Sequence, residues 1–244
     1  MSKPFTFKQF TVHQDRCAMK IGTDGVLLGA WVSLMGKPDR ILDIGTGTGV
    51  IAMQLAQRGS AETIDAIEID VKAFEQCMDN FESSPWSERL LCYHAAIQEF
   101  ASEIDDTYDL IISNPPFYSE NYKPEEKARD TARFNDALPF QHLVVCTAHL
   151  LSDRGTFAVI LPKKEEFVFI QLAQETGLYP KRICRVRGNI SSEEKRSLLE
   201  FSYLPEDKQG LKKEIKIESL TIETDRHNYT EDYIQLVKDF YLKM

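Results

Sequence analysis

The sequence predicts an α/β fold, a doubly wound and mainly parallel sheet, on three observations. Apolar runs of strand length alternate with segments of helical period. One run is followed by glycines at alternate positions and then by a helix, the junction at which such sheets bind ligands. The composition, 43% hydrophobic and 27% charged over 244 residues, supplies apolar side chains for a sizeable core, and no repeat or Pro/Gly/Ser linker divides the chain. A single structural domain is expected, with residues 1–39 as an N-terminal segment and residues 40–244 as its main body.

Strands are expected at Arg40–Ile44, Thr63–Ile69, Leu90–His94, Tyr108–Ser113 and Thr156–Leu161. Helices are expected between them at Val50–Gln57, Val71–Phe81, Leu138–Leu150 and Glu165–Thr176. After Pro180 the runs Arg182–Arg187, Leu198–Tyr203 and Glu214–Ile222 are short and turn-linked, which predicts antiparallel strands. Tyr233, Leu236, Val237 and Phe240 recur at helical spacing, so Thr230–Leu242 should pack a terminal helix on the core.

Several function classes drop out early. No run approaches the roughly 18 apolar residues of a membrane span, and the N-terminus shows no apolar export segment. The five cysteines are an odd number without C-x-x-C spacing, against a disulfide framework or a cysteine zinc site, and a reducing cytoplasm is the expected compartment. The histidines are scattered and read as structural, so no metal is expected.

The first strand leads into Asp43-Ile-Gly45-Thr-Gly47-Thr-Gly49. Glycines at alternate positions let the backbone turn sharply and approach a ligand, while the helix behind them offers unpaired N–H groups. A dinucleotide fingerprint would need its third glycine where Val50 stands, which disfavours NAD and an oxidoreductase. The second strand ends in Glu68, a carboxylate placed to accept both ribose hydroxyls of an adenosine, with Asp70 as the second candidate. The fourth strand ends in Asn114-Pro115-Pro116-Phe117. Two prolines remove two donors and fix φ, so the Asn114 side chain and the Pro115 carbonyl are held as acceptors rather than paired into the sheet. Two acceptors suit a poorly nucleophilic amine, because they favour a tetrahedral nitrogen and steady its developing positive charge. Phe117 adds a flat face on which a planar group stacks. No dedicated general base is expected.

The D-x-G-x-G-x-G spacing resembles motif I of class I S-adenosylmethionine-dependent methyltransferases, and Asn-Pro-Pro-Phe resembles the signature of enzymes that methylate adenine N6, cytosine N4 or glutamine N5. Phe5–Val12, the stretch from Arg16 to Trp31, Ser84-Pro85-Trp86, Asn228-Tyr229 and Phe240-Tyr241-Leu242 are similar to the bacterial tRNA1(Val) (adenine-37-N6)-methyltransferase family, so the likeness covers essentially the whole chain. It implies a Rossmann-like fold with a seven-stranded sheet, S-adenosyl-L-methionine as cofactor, and N6 of the adenosine 3′ of the anticodon as target. Asn114, Pro115, Pro116 and Phe117 would then carry the reaction. Asp43, Gly45, Gly47, Gly49, Glu68 and Ile97 would hold the cofactor, with Thr23 and Asp24 near its methionine end. Thr23 or Asp24 reads equally well as a helix cap.

Class I enzymes often place an acid after the third strand to take the adenine amino group. Ala96 stands there, which leaves apolar contact with Ile97, backbone groups, or Glu99 as a substitute. A glutamine N5-methyltransferase of release factors shares the tetrapeptide and the cofactor, but it usually carries a separate N-terminal helical domain and Tyr in place of Phe117. A noncatalytic binding module would show a disrupted Asn-Pro-Pro-Phe or glycine turn, and both are intact.

A net charge of −9 disfavours a polyanionic partner, yet the acidity is concentrated. Residues 62–136 hold 18 acids against 6 Lys/Arg, whereas residues 163–216 hold 9 against 12. Lys163-Lys164, Lys195-Arg196 and Lys212-Lys213 lie in or near this basic stretch. Lys181, Arg182, Arg185 and Arg187 are expected to form one patch facing the phosphates of the anticodon stem.

Overall fold

The computed structural model describes residues 3–116, 139–203 and 214–244. Phe117 and the Lys212-Lys213 pair lie outside the described residues, as does Leu138, the expected start of one helix.

A two-stranded ribbon, β1 (Phe5–Thr6) and β2 (Thr11–Val12), precedes α1 (Thr23–Trp31). Then β3 (Arg40–Ile44), α2 (Val50–Arg58), β4 (Thr63–Glu68), α3 (Val71–Glu82), β5 (Leu90–His94), α4 (Ile97–Glu103) and β6 (Tyr108–Ser113) alternate. After the undescribed segment come α5 (Phe140–Leu150), β7 (Leu151–Pro162), α6 (Glu166–Glu175), β8 (Tyr179–Asn189), β9 (Glu194–Ser202), β10 (Lys216–Asp225), β11 (Asn228–Tyr229) and α7 (Glu231–Val237).

The main sheet has nine strands rather than seven, in the order β11-β10-β8-β9-β7-β6-β3-β4-β5. Strands β7, β6, β3, β4 and β5 run parallel, and β9 is antiparallel to both β7 and β8. The strand expected antiparallel at Glu214–Ile222 is β10, and it pairs parallel with β8. The reason is its position: β10 reverses direction after β9, but β8 lies between them, so the neighbour it meets runs the same way. The count exceeds seven because β10 and the two-residue β11 extend the sheet beyond β8.

Strands β3, β4 and β6 are buried almost throughout, which is why they read as near-continuous apolar runs, whereas β5 at the sheet edge is partly exposed. On one face lie α1, α2, α3 and α7, joined by Phe7 and Phe10 of the N-terminal segment. On the other lie α4, α5 and α6, whose Phe169 meets Phe157 and Phe201 of the sheet at ring separations of 6.1 and 5.8 Å. The terminal helix stops at Val237, short of the expected Leu242; Thr230 caps its start by accepting the Tyr233 N–H at 3.2 Å. Helices α1 and α4 add to those the sequence pattern predicts.

Strand alternation settles the fate of the expected basic patch. On β8, Arg182 points toward α1, where its guanidinium lies 4.2 Å from the Trp31 ring centroid and its Nε bonds Glu218 at 2.9 Å. Arg185 points to the opposite face and makes a two-pronged bond to Glu166 of α6, at 3.2 and 2.9 Å. Burial works to raise the Glu166 pKa, but hydrogen bonds from Arg185 and Ser197 outweigh it and hold the carboxyl below its ordinary value. Lys181 donates to Thr156 and Arg187 to Thr221, at 2.7 and 2.8 Å. The four cations therefore do not form one face, because period-two alternation sends Arg182 and Arg185 to opposite sides of the sheet. Arg182 also lies 3.7 Å from the buried Glu200. Its replacement, Arg182→Ala, should lower the unfolding free energy in urea by about 2–4 kcal/mol, since the buried Glu200 loses this ion pair and is left with the Ser33 N–H at 2.7 Å.

Candidate active site

The order of strands reverses at β3: β4 and β5 follow on one side and β6 on the other. A crevice opens at such a point beyond the carboxyl ends of the strands. Here it is a cleft of about 540 Å³, within the size range of small-ligand sites. Gly45, Gly47, Glu68, Ile97, Asn114, Pro115 and Pro116 all line it.

The turn between β3 and α2 forms the floor. Gly45 and Gly47 hold φ of +69° and +58°, in the left-handed region, and a Cβ on either would point into open space. Side chains are thus excluded there by backbone strain and not by crowding, which leaves the space in front of the turn clear. The Gly45 and Thr46 N–H groups donate to the Ile67 carbonyl at 3.0 and 3.1 Å. Glu68 Oε2 accepts the Gly47 N–H at 2.8 Å, and Oε1 accepts the Asp70 N–H at 2.9 Å. One carboxylate therefore joins the turn after β3 to the start of α3. Asp70 also lines the cleft and caps α3 by accepting the Ala73 N–H at 2.8 Å.

Three expected cofactor residues do not line the cleft. Gly49 sits behind the turn at φ +82°, where a Cβ would come 2.6 Å from the Phe81 ring, so it serves packing against α3. Asp43 is fully buried and accepts from Thr46 Oγ1 at 2.6 Å, while its second oxygen has no hydrogen-bond partner. It acts on the site by holding the turn. Thr23 is exposed in the first turn of α1, and neither it nor Asp24 caps that helix, whose N-cap is Gly22. Asp24 instead pairs with Arg196 of β9 at 2.7 Å. Helix α1 packs beside the strand end at Gly25, where a Cβ would lie 3.8 Å from Asn114 Nδ2, an ordinary contact.

Asn114 is half-buried at the end of β6, Pro115 is buried and Pro116 is exposed. Ser113 fixes this strand end to β3 by donating to the Ile44 carbonyl at 2.9 Å. On the β5 side, Ala95, Ala96 and Ile97 line an apolar end of the cleft. Glu99 does not substitute for the missing acid at Ala96; its Oε2 accepts the Ala96 N–H at 3.3 Å as a helix cap, and it does not line the cleft. Gln98 and His142 do line it, with Gln98 Nε2 and His142 Nδ1 2.9 Å apart. Sequence reasoning missed both, and also Cys17, Ala18 and Met19, which line the cleft as a further wall. The similarity of the Arg16–Trp31 stretch to one family was the only hint of that wall. Among the described residues no group of three or more His, Cys, Asp or Glu could hold a metal ion, and no helix is long and apolar enough to cross a membrane.

Fold and site together define a methyltransferase of the Rossmann-like class: a glycine turn, a carboxylate on the second core strand and an acceptor-bearing Asn-Pro-Pro at the fourth. The family profile for the methyltransferase small domain matches residues 25–137. Solved structures share the fold, among them the predicted O-methyltransferase Atu636 of Agrobacterium tumefaciens, with a TM-score of 0.65, 18% identity, and 89% and 96% of the two chains covered. The ribosomal protein L11 methylase of Lactobacillus delbrueckii subsp. bulgaricus gives 0.51 at 16% identity, over 73% and 76%.

The chain belongs to the tRNA1(Val) (adenine(37)-N6)-methyltransferase family. A member from Flavobacterium psychrophilum is 58% identical over 240 residues, covering 98% of this chain and 100% of the relative. One from Christiangramia forsetii is 55% identical over 245 residues, with 100% and 99% covered, and one from Bacteroides fragilis is 44% identical over both full lengths.

The buried Asp43 generates a prediction about pH. Burial raises its pKa from 3.8 to about 7, against the hydrogen bond from Thr46, which lowers it. Between about pH 4 and 7 the unfolded chain has lost this proton and the folded chain keeps it, so stability falls as pH rises through that window and levels off above it. Asp43→Asn should remove this slope. Urea unfolding of the two proteins from pH 4 to 8 should show the variant gaining on the wild type by an amount on the order of 4 kcal/mol.

Proposed function

We propose that the protein transfers a methyl group from S-adenosylmethionine to N6 of adenosine 37 in tRNA1(Val), the nucleoside 3′ of the anticodon. One observation carries the reading: Asn114-Pro115-Pro116 faces the glycine turn across a single cleft, in a chain whose relatives bear that activity in their names over their full length.

The residues present fit the cofactor. Open space in front of Gly45 and Gly47 admits a bulky polar group close to the backbone. Glu68 accepts one N–H on each oxygen and keeps further lone pairs for two ribose hydroxyls. Ile69 and Ile97 offer apolar walls for adenine. When bound, the cofactor supplies a methyl group made electrophilic by its sulfonium, so the protein's task is positioning and electrostatics.

On the substrate side, Asn114 Oδ1 and the Pro115 carbonyl accept the two N–H bonds of the target amine. Phe117 stacks on the base in this reading. An anticodon-loop adenosine is already single-stranded, so it can be splayed into the cleft at low cost. With residues 1–39 as part of the site, the whole chain works as one domain, and a tRNA substrate puts it in the cytoplasm. The stem phosphates are met by cations on the same edge as Asn114: Lys163 and Lys164 after β7, Arg187 near the end of β8, and Lys195 at the start of β9. Lys181 sits near the other end of β8, roughly 20 Å away at strand rise, and Arg182 is committed to Glu218.

Methyl transfer to undermethylated total tRNA, with purified release factor as the competing substrate, tests the reading. N6-methyladenosine in the tRNA by nucleoside mass spectrometry is expected; label in the release factor would overturn it. Asn114→Ala should lower turnover by about 100-fold or more while leaving cofactor affinity within a few-fold. Gly47→Val should abolish both, because valine is strained at φ +58°. Reversing Arg187 and Lys195 to Glu should weaken tRNA binding and reduce the slope of log affinity against log salt by about 1 for each phosphate no longer neutralised. An unchanged slope would remove them from the interface.

A further inference from the structure

Residues 13–21 lead from β2 to α1 without helix or strand, and Cys17, Ala18 and Met19 in their middle form one wall of the cleft. Side chains hold this strap down. Asn80 of α3 is fully buried, and its Oδ1 accepts the His13 N–H at 2.8 Å. Its Nδ2 donates to the His13 carbonyl at 2.9 Å and to the Thr48 carbonyl at 2.9 Å. Thr48 belongs to the glycine turn, between Gly47 and Gly49. One helical turn earlier, on the same face of α3, the buried Gln76 accepts the Arg16 N–H at 3.2 Å. Gln14 Oε1 accepts the Ile21 N–H at 3.0 Å and closes the strap on itself. Arg16 adds ion pairs to Glu75 and Asp79.

The chemistry of Asn80 is specific. Its partners are one N–H and two carbonyls, and a primary amide of this length offers one acceptor and two donors. The partners fix the orientation of the amide: both of its N–H donors and its oxygen are engaged. A shorter or apolar side chain leaves the Thr48 carbonyl, in a buried bond, and both backbone groups of His13 without this partner. Asn80 is thus the side chain that ties the strap to the turn.

We propose that Asn80 is a positioning residue of the cofactor site: its amide locks the strap to the glycine turn, so that the Cys17–Met19 wall and the Gly47 backbone meet S-adenosylmethionine as one preformed surface. The inference rests on the reading of the cleft as the S-adenosylmethionine site. A site built in advance spends less of its interaction energy on ordering the walls when the ligand arrives. Loss of the tie should therefore appear in cofactor affinity and in the strap together, with the sheet left intact.

Cys17 is a natural reporter, since it lies in the strap and is only 9% exposed. Burial pushes its thiol up to about 11, with Glu68 and Asp70 adding to the effect, so both packing and protonation keep it unreactive. Cys146 and Cys184 lie in the two cores away from the strap and report on the fold as a whole.

The experiment measures N-ethylmaleimide labelling of each cysteine by peptide mass, with and without S-adenosylmethionine, and cofactor affinity by calorimetry. In the wild type, cofactor should slow Cys17 labelling. Asn80→Ala should speed Cys17 labelling and weaken cofactor binding by about tenfold or more each, with Cys146 and Cys184 unchanged. The KM for the cofactor should rise by more than kcat falls. Gln76→Ala, which cuts the strap's second tie and leaves the Thr48 hydrogen bond in place, should speed Cys17 with a smaller loss of affinity. Cys17 rates and affinities within about twofold of wild type in both variants would overturn the proposal. So would a uniform rise in all cysteines, which marks a residue needed only for folding. Failure of the wild type to bind S-adenosylmethionine would instead overturn the reading of the cleft itself.

Discussion

The site depends on one carboxylate. Glu68, at the end of β4, receives the Gly47 N–H on one oxygen and the Asp70 N–H on the other, 2.8 and 2.9 Å away. Hydrogen bonds to an ionised acceptor are about twice as strong as neutral ones, and this pair spans the ends of two adjacent strands. It holds Gly47 in a left-handed conformation and starts α3 where Asp70 can cap it. The floor of the cleft, the direction of α3 and the position of Asn80 on that helix all follow from it.

The candidate site residues then gather at one edge. β6 delivers Asn114-Pro115-Pro116 to the carboxyl edge next to β3, because β3 is where the strand order reverses. The extra strands beyond β7 bring Arg187, Lys195 and Arg196 to that same edge. Their register explains it: Arg196 pairs with Pro162 at the end of β7, and β8 runs parallel to β7 through the intervening β9. Along the sequence the acids of this chain of net charge −9 are concentrated in residues 62–136, and residues 163–216 carry the basic excess. Arg182 and Arg185, which look equivalent in the sequence, are each committed to carboxylates of the fold.

Strands β3, β5 and β6 were legible to within a residue: β3 and β6 are buried and nearly continuous in apolar residues, and β5, the edge strand, is marked by its run Leu90-Leu-Cys-Tyr93. The glycine turn, Glu68 and the Asn-Pro-Pro segment were legible because each is a local pattern tied to a strand end. Helix α1 was not: Val26 to Trp31 is buried almost throughout, and a helix covered on all sides carries no amphipathic period to read. The direction of β10 was hidden because local sequence does not say which strand it will pair with. Gln98, His142 and the Cys17–Met19 wall come to the cleft from distant parts of the chain, and Asn80 reaches the strap behind it, so no spacing announces them. The even look of Lys181, Arg182, Arg185 and Arg187 misled for a definite reason: a run of cations on a strand is divided between two faces.

The most direct test of the central role of Glu68 is a binding cycle. Dissociation constants would be measured for S-adenosylmethionine and for its 2′,3′-dideoxy analogue, with the wild type and with Glu68→Ala. If Glu68 holds both the turn and the ribose, the wild type discriminates against the analogue by about 100-fold, and the variant binds both ligands weakly and equally. A variant that keeps wild-type affinity for S-adenosylmethionine, or that still discriminates fully against the analogue, would contradict it.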